Sequence, residues 1–153
     1  MRAFQDYYPD HLAHCYGCGR LNLHGYQIKT FWDGDESETR FTPRPFHIAV
    51  PGFVYGGLLA SLIDCHSTAS AVAAMYRSQM REMDSLPPFR FVTGSLQVRF
   101  LKATPLGPEL VVRGRVLEIS GRKVTIESTV SVEGVSTVRG EVVAIEMPDD
   151  FGA

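Results

Sequence analysis

The sequence predicts an α+β fold in which an antiparallel sheet of five to six strands wraps around one long central helix. The order of the segments supports this fold class: two short alternating segments come first, then a long apolar segment of helical period, then four more alternating segments. Glycines stand between the last four segments, where hairpin turns are expected. We therefore treat residues 1–153 as a single domain whose residues 1–25 are irregular.

The first two strands are expected on either side of a tight turn. Tyr26–Trp32 alternates between polar and apolar residues, and Ser37–Phe41 is the returning strand. The intervening Asp33-Gly34-Asp35 has the composition of a turn. Residues 42–54 are expected to form a loop because they contain Pro43, Pro45, Pro51 and Gly52.

The long helix is predicted over Gly57–Arg77. Apolar residues recur there at helical spacing, and small residues fill most of the remaining positions. A helix that is apolar on most sides is normally surrounded by other parts of the protein. The recurring positions are Leu58, Leu59, Leu62, Ile63, Ala69, Val72, Ala73 and Tyr76.

Four strands in series are predicted after the helix. Their ranges are Phe91–Leu101, Glu109–Ile119, Lys123–Val132 and Ser136–Met147, with hairpin turns at Gly107, Gly121 and Gly134. A sheet that covers one side of a helix leaves the other side exposed. We therefore expect a second copy of the chain to complete the structure, with the two sheets joined edge to edge.

Composition and charge exclude several classes of function. The formal net charge of −2 gives no basic surplus for binding nucleic acid. The N-terminal sequence lacks the apolar stretch of a secretory signal. Asp64, Cys65 and His66 interrupt the most apolar segment, which makes it a poor membrane span. Three cysteines, an odd number, do not suit a secreted disulfide framework, so we expect a cytosolic protein.

Asp64 is the first candidate for chemistry, because it lies in the middle of an otherwise apolar helix. Carboxylates are rarely buried unless they are paired or functional. Thr68 follows four residues later on the same helix face. A carboxylate in this setting can act as a general base or as a nucleophile. The structural alternative is a carboxylate that only bonds a neighbouring backbone amide.

Gly56-Gly57 opens the predicted helix and is a candidate oxyanion site. Backbone N–H groups at a helix N-terminus are unpaired and carry a positive partial charge, and glycine allows a ligand to approach them. The glycines precede Asp64 by two helical turns, or roughly 10–12 Å. An extended pocket or an approach from a partner subunit could bridge that separation, and a simple tight turn is the alternative.

Other polar residues are weaker candidates. His47, in the loop before the helix, is kept as a pocket residue, and His66, on a different helix side from Asp64, ranks lower. The cations Arg122 and Lys123 in a hairpin could hold the phosphates of coenzyme A or simply be solvated. Cys15 and Cys18 form a C-x2-C pair after His11 and His14, but zinc sites usually draw ligands from two spaced pairs. We therefore expect no metal.

The central segment resembles the helix signature of the PaaI-like acyl-CoA thioesterases of the hotdog superfamily, in the stretch GFVYGGLLASLIDCHSTASAVA. That signature has an Asp seven residues after the second of two glycines, and Gly57 and Asp64 match this spacing. Three further stretches are similar to segments of the same family: HCYGCGRLNLHGYQI, FVTGSLQVRFLKATPLG and GRKV. Together these stretches span residues 14–124 in the family's order.

The resemblance implies a hotdog fold and hydrolysis of an acyl-CoA thioester. Asp64 would be the catalytic base or nucleophile, and Gly57 would donate its N–H to the thioester carbonyl. Thr93 would orient the attacking water from the partner subunit, and Thr68 matches a threonine in a related branch. The site would lie at the interface of a homodimer, which could pair into a tetramer, with coenzyme A entering only as part of the substrate.

One position departs from the family pattern: the usual His before Gly-Gly is Tyr55, which would have to act through its hydroxyl. This departure leaves room for His47 or His66 to take part. Two other functions remain open at this point. The first is a hotdog hydratase or dehydratase that uses His47 and Asp64, and the second is a non-catalytic acyl-CoA-binding module.

Overall fold

The computed structural model describes residues 1–151 and confirms the predicted α+β class. One helix, α1, packs against a six-stranded antiparallel sheet. α1 spans Gly56–Ser78, and two short 3-10 turns, Phe4–Tyr7 and Asp10–Leu12, precede the sheet. The strands are β1 Phe31–Asp33, β2 Glu36–Phe41, β3 Phe91–Phe100, β4 Leu110–Ser120, β5 Lys123–Val132 and β6 Val135–Glu146.

The sheet has the order β1-β2-β4-β5-β6-β3, so the strand that follows the helix lies at the far edge. The β4–β5 and β5–β6 joins are tight, with positive φ at Gly121 and Gly134 as predicted. The expected hairpin at Gly107 is wrong. β3 pairs with β6 and not with β4, so Gly107 lies in a longer connection between strands that are not neighbours.

The helix packs closely against the inner face of the sheet. β5 alternates as its sequence predicts, with Val124, Ile126, Ser128, Val130 and Val132 buried. Two glycines, on β4 and β6 either side of β5, make the close approach of α1 possible. A Cβ on Gly140 would lie 2.3 Å from Ile63 Cγ2, and a Cβ on Gly114 would lie 2.6 Å from His66 Nε2. By length and composition α1 could span a membrane, but 78% of its most apolar window is buried within the domain.

The N-terminal segment covers part of the helix that the sheet leaves open. Phe4 packs against Ala69 and Ala73 of α1, with Trp32 beside it. The expectation that one whole side of the helix awaits a second copy is therefore too broad. The chain itself supplies part of that cover.

This segment also explains why the first predicted strand is wrong over most of its length. The N–H groups of Tyr26 and Ile28 donate to the carbonyls of Tyr16 and Gly17, at 2.9 and 3.0 Å. Gln27 between them has a φ of 57°, which regular strands do not adopt. Residues 26–30 therefore pair with the N-terminal segment, and β1 begins only at Phe31.

One face of α1 stays partly open. Gly57, Ala60, Ser61, Asp64 and Thr68 are partly exposed, whereas every other residue from Leu58 to Tyr76 is buried. Ala60 and Ser61 are adjacent and the other steps are of three or four residues, so the five residues form a single stripe along the helix. We call this set the open stripe. It contains Asp64, the residue that the sequence singled out.

Candidate active site

Asp64 accepts a hydrogen bond from one threonine hydroxyl of its own chain. Thr93 Oγ1 donates to Asp64 Oδ1 at 2.5 Å. Thr68 Oγ1 lies 3.2 Å from Thr93 Oγ1 and extends the pair to a short chain of hydroxyls. The resemblance implied that Thr93 would act from a partner subunit. Within one chain, β3 and α1 already bring the two side chains together, and a role for the Thr93 of a partner subunit stays a prediction.

The backbone of β3 contributes to this placement. The register of the β3–β6 pair shifts between Thr93 and Ser95, at a bulge. Such bulges turn a strand and redirect its side chains. Gly94 occupies the bulge, where a Cβ would come within 2.4 Å of Ile145 Cδ1. A larger residue at position 94 would force the strand away from β6 and disturb the position of Thr93.

Burial raises the pKa of Asp64 above its ordinary value of 3.8. The hydrogen bond from Thr93 acts in the opposite direction and favours the carboxylate, while negative charge at Cys15 raises the pKa further. The second carboxylate oxygen, Oδ2, has no hydrogen-bond partner within residues 1–151. The site therefore holds a carboxylate of increased basicity with one oxygen fixed and the other available.

Asp64 lies in the wall of a cavity of about 340 Å³. Apolar and aromatic side chains from the N-terminal segment, α1 and β3 make up most of the wall, and Arg90 is its only cation among the described residues. The lining residues are Tyr8, Leu12, Cys15, Cys18, Asp64, Cys65, Thr68, Val72, Phe89, Arg90, Phe91, Val92, Thr93 and Met147. Arg90 was not predicted from the sequence, because a single charged residue in a loop belongs to no recognisable motif.

Gly56 and Gly57 begin the helix as predicted, but neither lines the cavity at Asp64. The first helical hydrogen bonds run from Leu58 and Leu59 to the carbonyl of Tyr55. The N–H groups of the two glycines have no acceptor within residues 1–151. Seven residues of helix, or about 10 Å, separate Gly57 from Asp64. A single chain therefore does not place the candidate oxyanion donor beside the carboxylate.

Tyr55, which replaces the family histidine, lies over Gly57. A Cβ on Gly57 would lie 2.0 Å from the Tyr55 hydroxyl oxygen, so only glycine leaves room for this ring. Tyr55 is 46% exposed. Its hydroxyl lies beside Gly57 at the start of α1, where it can act as a polar group for a bound ligand.

His47 does not join Asp64. Its Nδ1 accepts a hydrogen bond from the Arg44 N–H at 3.0 Å, and its ring packs among Tyr26, Phe41 and Phe46. These residues line a different cavity. Burial, with help from the charge of Arg44, lowers the pKa of His47. One chain therefore does not assemble the His47–Asp64 pair that a hydratase or dehydratase would need.

His66 is a structural residue on the sheet side of α1. It is fully buried, with Nδ1 2.8 Å from Thr39 Oγ1 and Nε2 3.0 Å from Ser37 Oγ. Burial, and to a lesser degree the charge of Arg113, lowers the pKa of His66 to about 3. The imidazole is neutral at pH 7 and links the helix to β2. It is not among the residues that line the cavity at Asp64.

Arg122 and Lys123 lie beside the end of β6, where Lys123 pairs with Ile145 and the Arg122 carbonyl accepts from the Glu146 N–H. The Arg122 guanidinium donates to the carbonyl of Glu146 at 3.3 Å, and Glu146 pairs with Phe91 of the cavity wall. Both cations are exposed. The hairpin that the sequence selected therefore stands one strand away from the cavity rim, on the same side as Arg90.

Three thiols meet at the base of the same cavity. Cys15 and Cys18 come from the N-terminal segment and Cys65 from α1, and their sulfur atoms all lie within 4.8 Å of one another. Hydrogen bonds from Cys18 and Cys65 lower the pKa of Cys15 to about 2. The bond with Cys15 raises the pKa of Cys18 to about 12 and raises that of Cys65 as well. One thiolate is thus stabilised by two thiols.

Comparison with known proteins identifies the family. A sequence profile described as Thioesterase superfamily matches residues 51–139, which include α1, Asp64 and Thr93. The chain belongs to the thioesterase superfamily. A thioesterase superfamily protein from Shewanella loihica is 41% identical in sequence, and the match covers 92% of this chain and all of that one, with a TM-score of 0.70.

Two more distant solved structures share the fold. The PaaI protein of the phenylacetic acid degradation operon of Escherichia coli matches with a TM-score of 0.65 at 12% identity, over 80% of this chain and 81% of its own. A Streptococcus mutans protein bound to acetyl-CoA matches with a TM-score of 0.63 at 16% identity. The match covers 78% of this chain and 88% of that one. Among curated proteins, no sequence matches significantly. The resemblance to PaaI-like hotdog thioesterases is confirmed.

Proposed function

We propose that this thioesterase superfamily member hydrolyses an acyl-CoA to a free acid and coenzyme A, with Asp64 as the general base. One observation carries the proposal: a half-buried carboxylate of raised pKa lies in an apolar cavity, with one oxygen held by Thr93 and the other free. Such a carboxylate can remove a proton from water. The fold that this chain shares with the acetyl-CoA-bound Streptococcus mutans protein supports an acyl-CoA as the substrate.

The base role follows from the hydrogen bonds around the carboxylate. Thr93 occupies Oδ1, which leaves Oδ2 to accept a proton from a water molecule. Thr68 offers a second hydroxyl 3.2 Å from that of Thr93, close enough to orient the same water. Water then attacks the thioester carbonyl, and the proton passes to the leaving coenzyme A sulfur. A nucleophilic Asp64 would instead form an acyl–enzyme anhydride, which mass spectrometry of rapidly quenched reactions would detect as an adduct on this residue.

The oxyanion formed in that attack needs a donor that a single chain does not place near Asp64. We propose that Gly57 of a second copy supplies its N–H, with Tyr55 of that copy beside it. The open stripe carries both Gly57 and Asp64, so two stripes packed against each other can bring Gly57 of one chain to Asp64 of the other. Unpaired N–H groups at a helix start stabilise developing negative charge.

The two parts of the substrate suit different parts of the cavity. The acyl group would pack against the apolar wall, where Tyr8, Phe89 and Phe91 give an aromatic lining. The coenzyme A phosphates would lie outside, near Arg90, Arg122 and Lys123. Arginine and lysine side chains bind phosphate through charge-assisted hydrogen bonds. Hydrolysis of this kind requires no cofactor, and the three free cysteines suit the reducing cytosol.

The test is thiol release from a panel of acyl-CoAs by the wild type and by Asp64→Asn. The panel contains acetyl, hexanoyl, palmitoyl, phenylacetyl and benzoyl-CoA. We expect release from at least one member and a loss of roughly 10²–10⁴-fold in the variant, which is the range for removal of a general base. Asp35→Asn, at an exposed turn, is the matched control and should retain full activity.

The same panel distinguishes the competing functions. Tight binding of an acyl-CoA without thiol release from any member would contradict hydrolysis and favour a binding module. Water addition to an enoyl-CoA, with no thiol release, would favour the hydratase.

A further inference from the structure

The three cysteines of the chain come from two distant segments and meet at one point. Cys15 and Cys18 belong to the turn structure after the 3-10 helices, and Cys65 directly follows Asp64 on α1. The sulfur atoms of Cys15 and Cys65 are 3.9 Å apart, and all three sulfurs lie within 4.8 Å of one another. No other Cys, His, Asp or Glu of residues 1–151 joins this group.

These separations match the edges of a tetrahedral metal site. Zinc–sulfur bonds are about 2.3 Å long, so two sulfurs of a tetrahedral zinc site lie about 3.8 Å apart. The 3.9 Å between Cys15 and Cys65 is already of that length, and the remaining sulfurs need to move by less than an ångström. A disulfide would join only two of these sulfurs, and so would leave the convergence of the third without a reason.

The backbone around the thiols is shaped to let them converge. A Cβ on Gly17 would lie 2.3 Å from Cys65 Sγ, so only glycine allows α1 to bring its sulfur this close. The Gly19 N–H donates to the carbonyl of Cys15 at 2.8 Å and closes the C-x2-C turn. A Cβ on Gly19 would lie 2.4 Å from the backbone nitrogen of Cys15. Glycine at position 19 therefore lets the turn close tightly on Cys15.

We propose that Cys15, Cys18 and Cys65 bind one Zn²⁺ ion, and that the fourth position of the ion opens into the cavity of Asp64. Soft thiolate ligands in tetrahedral arrangement favour zinc. The ion takes all three cysteines as thiolates, so binding releases the protons that the thiols still carry, and a water molecule completes the coordination. All three cysteines line the cavity, and Cys15 is exposed, so the ion has a path of entry.

This ligand set differs from the one that the sequence allowed. Spacing alone offered His11, His14, Cys15 and Cys18, and the expectation of no metal rested on that set. Both histidines are exposed and lie outside the group of thiols. The helix supplies the third sulfur, which only the folded chain brings near. The ion would tie the N-terminal segment to α1 at the residue next to Asp64.

The first test uses metal-free, reduced protein without an affinity tag that binds metal. Titration with Co²⁺ should give thiolate-to-cobalt charge-transfer bands and the intense visible bands of a tetrahedral site, saturating at one ion per chain. Added Zn²⁺ should then displace the cobalt and remove these bands. No acyl-CoA is present, so this result is independent of the proposed hydrolysis.

Variants assign the ligands. Cys15→Ser, at an exposed position, should lose the charge-transfer bands while its far-ultraviolet circular dichroism stays that of the metal-free wild type. His14→Ala, one residue away and also exposed, is the matched control and should bind one ion like the wild type. A His14→Ala variant that lost the ion, or a Cys15→Ser variant that kept the wild-type spectrum, would overturn the proposed ligand set.

The wild type gives a second measurement that does not depend on variant folding. Saturating Zn²⁺ should slow the alkylation of Cys15 by iodoacetamide and raise the melting temperature, because the ion binds only the folded chain. Removal of the ion with a chelator should reverse both effects. Unchanged alkylation and melting, with all thiols reduced and no cobalt bands, would overturn the proposal.

Discussion

At the scale of single residues, the hydrogen bond from Thr93 opposes the larger effect of burial on the pKa of Asp64. Three influences act on the pKa of this carboxylate. Burial and the negative charge of Cys15 raise it, and the hydrogen bond from the Thr93 hydroxyl lowers it. The pKa of this α1 carboxylate thus depends on groups from β3 and the N-terminal segment. Its pKa can be shifted by a change in any of them.

Thr93→Val should therefore move the acidic limb of the pH–rate profile to higher pH. Valine has nearly the same shape but donates no hydrogen bond, so the pKa of Asp64 rises and more of the base is protonated at a given pH. The measurement is kcat/KM against pH for an acyl-CoA that the wild type hydrolyses. Thr93→Ser, which retains the hydroxyl, is the control, and an identical limb in wild type and Thr93→Val would contradict the assignment.

His66 makes stability depend on pH through burial. Its pKa is about 3 in the folded chain and about 6.5 when solvated, so between these values the unfolded state binds more protons. The stability that neutral His66 provides is present above pH 6.5 and is lost as pH falls toward 3.

We expect the free energy of unfolding to fall below pH 6.5, by at most about 1.4 kcal/mol per pH unit from this residue. His66→Gln should lack this pH-dependent part of the free energy of unfolding. Its stability at pH 7 should also be lower, because the contacts of the imidazole with Thr39 and Ser37 are lost. Urea denaturation of metal-free protein at several pH values checks the difference between the two chains. If the free energy of unfolding falls equally with pH in the wild type and in His66→Gln, another group causes the pH dependence.

At the scale of elements, alternation and helical period were enough to predict most boundaries. β5 matches its predicted range, and the other long strands and α1 shift by one residue at either end. The first strand could not be predicted, because the sequence does not show that residues 26–30 bond to the N-terminal segment. For the same reason, spacing alone could not connect Cys65 to Cys15 and Cys18.

The site was predictable only in part. Asp64 was identified from a polar residue within an apolar helix, and Thr93 came from the resemblance. The placement of Thr93 on the same chain depends on β3 lying next to β6, a long-range pairing that local patterns do not encode. His47 satisfied the pattern of a loop histidine but is enclosed by aromatic rings on the other side of the domain.

The contact between α1 and β6 sets a strict size limit at Gly140. Gly140→Ala should lower stability by roughly 1–3 kcal/mol, because the new methyl group would overlap Ile63 Cγ2. Chemical denaturation measures this change. Glu141→Ala, at the exposed neighbouring position, should change stability by less than about 0.5 kcal/mol, and equal losses in the two variants would contradict the packing argument.

At the scale of the whole molecule, the open edge of β3 is the natural site for pairing with a second copy. β3 is ten residues long, bonds only to β6 and is largely exposed. Long, unprotected edges invite pairing with another strand. A two-fold pairing centred on β3 would bring Leu96 near its own counterpart and align the open stripes of the two helices.

Leu96→Lys should therefore convert a homodimer to monomers, because two like charges would meet near the axis. Light scattering coupled to gel filtration measures the mass, and the thioesterase rate should fall with the loss of the second chain's Gly57. Leu117→Lys, at a similarly exposed position on β4, should leave the mass unchanged. A monomeric wild type that is fully active would contradict the two-chain site.

The place of β3 in the sheet also sets when the site can form during synthesis. β3 is made directly after the helix, but its only partner, β6, is the last of the six strands to leave the ribosome. Pairing of distant segments is slow and leaves apolar surface exposed until it is complete. Thr93 can therefore settle against Asp64 only after β6 has emerged, and until then the nascent chain carries a finished helix without an active site.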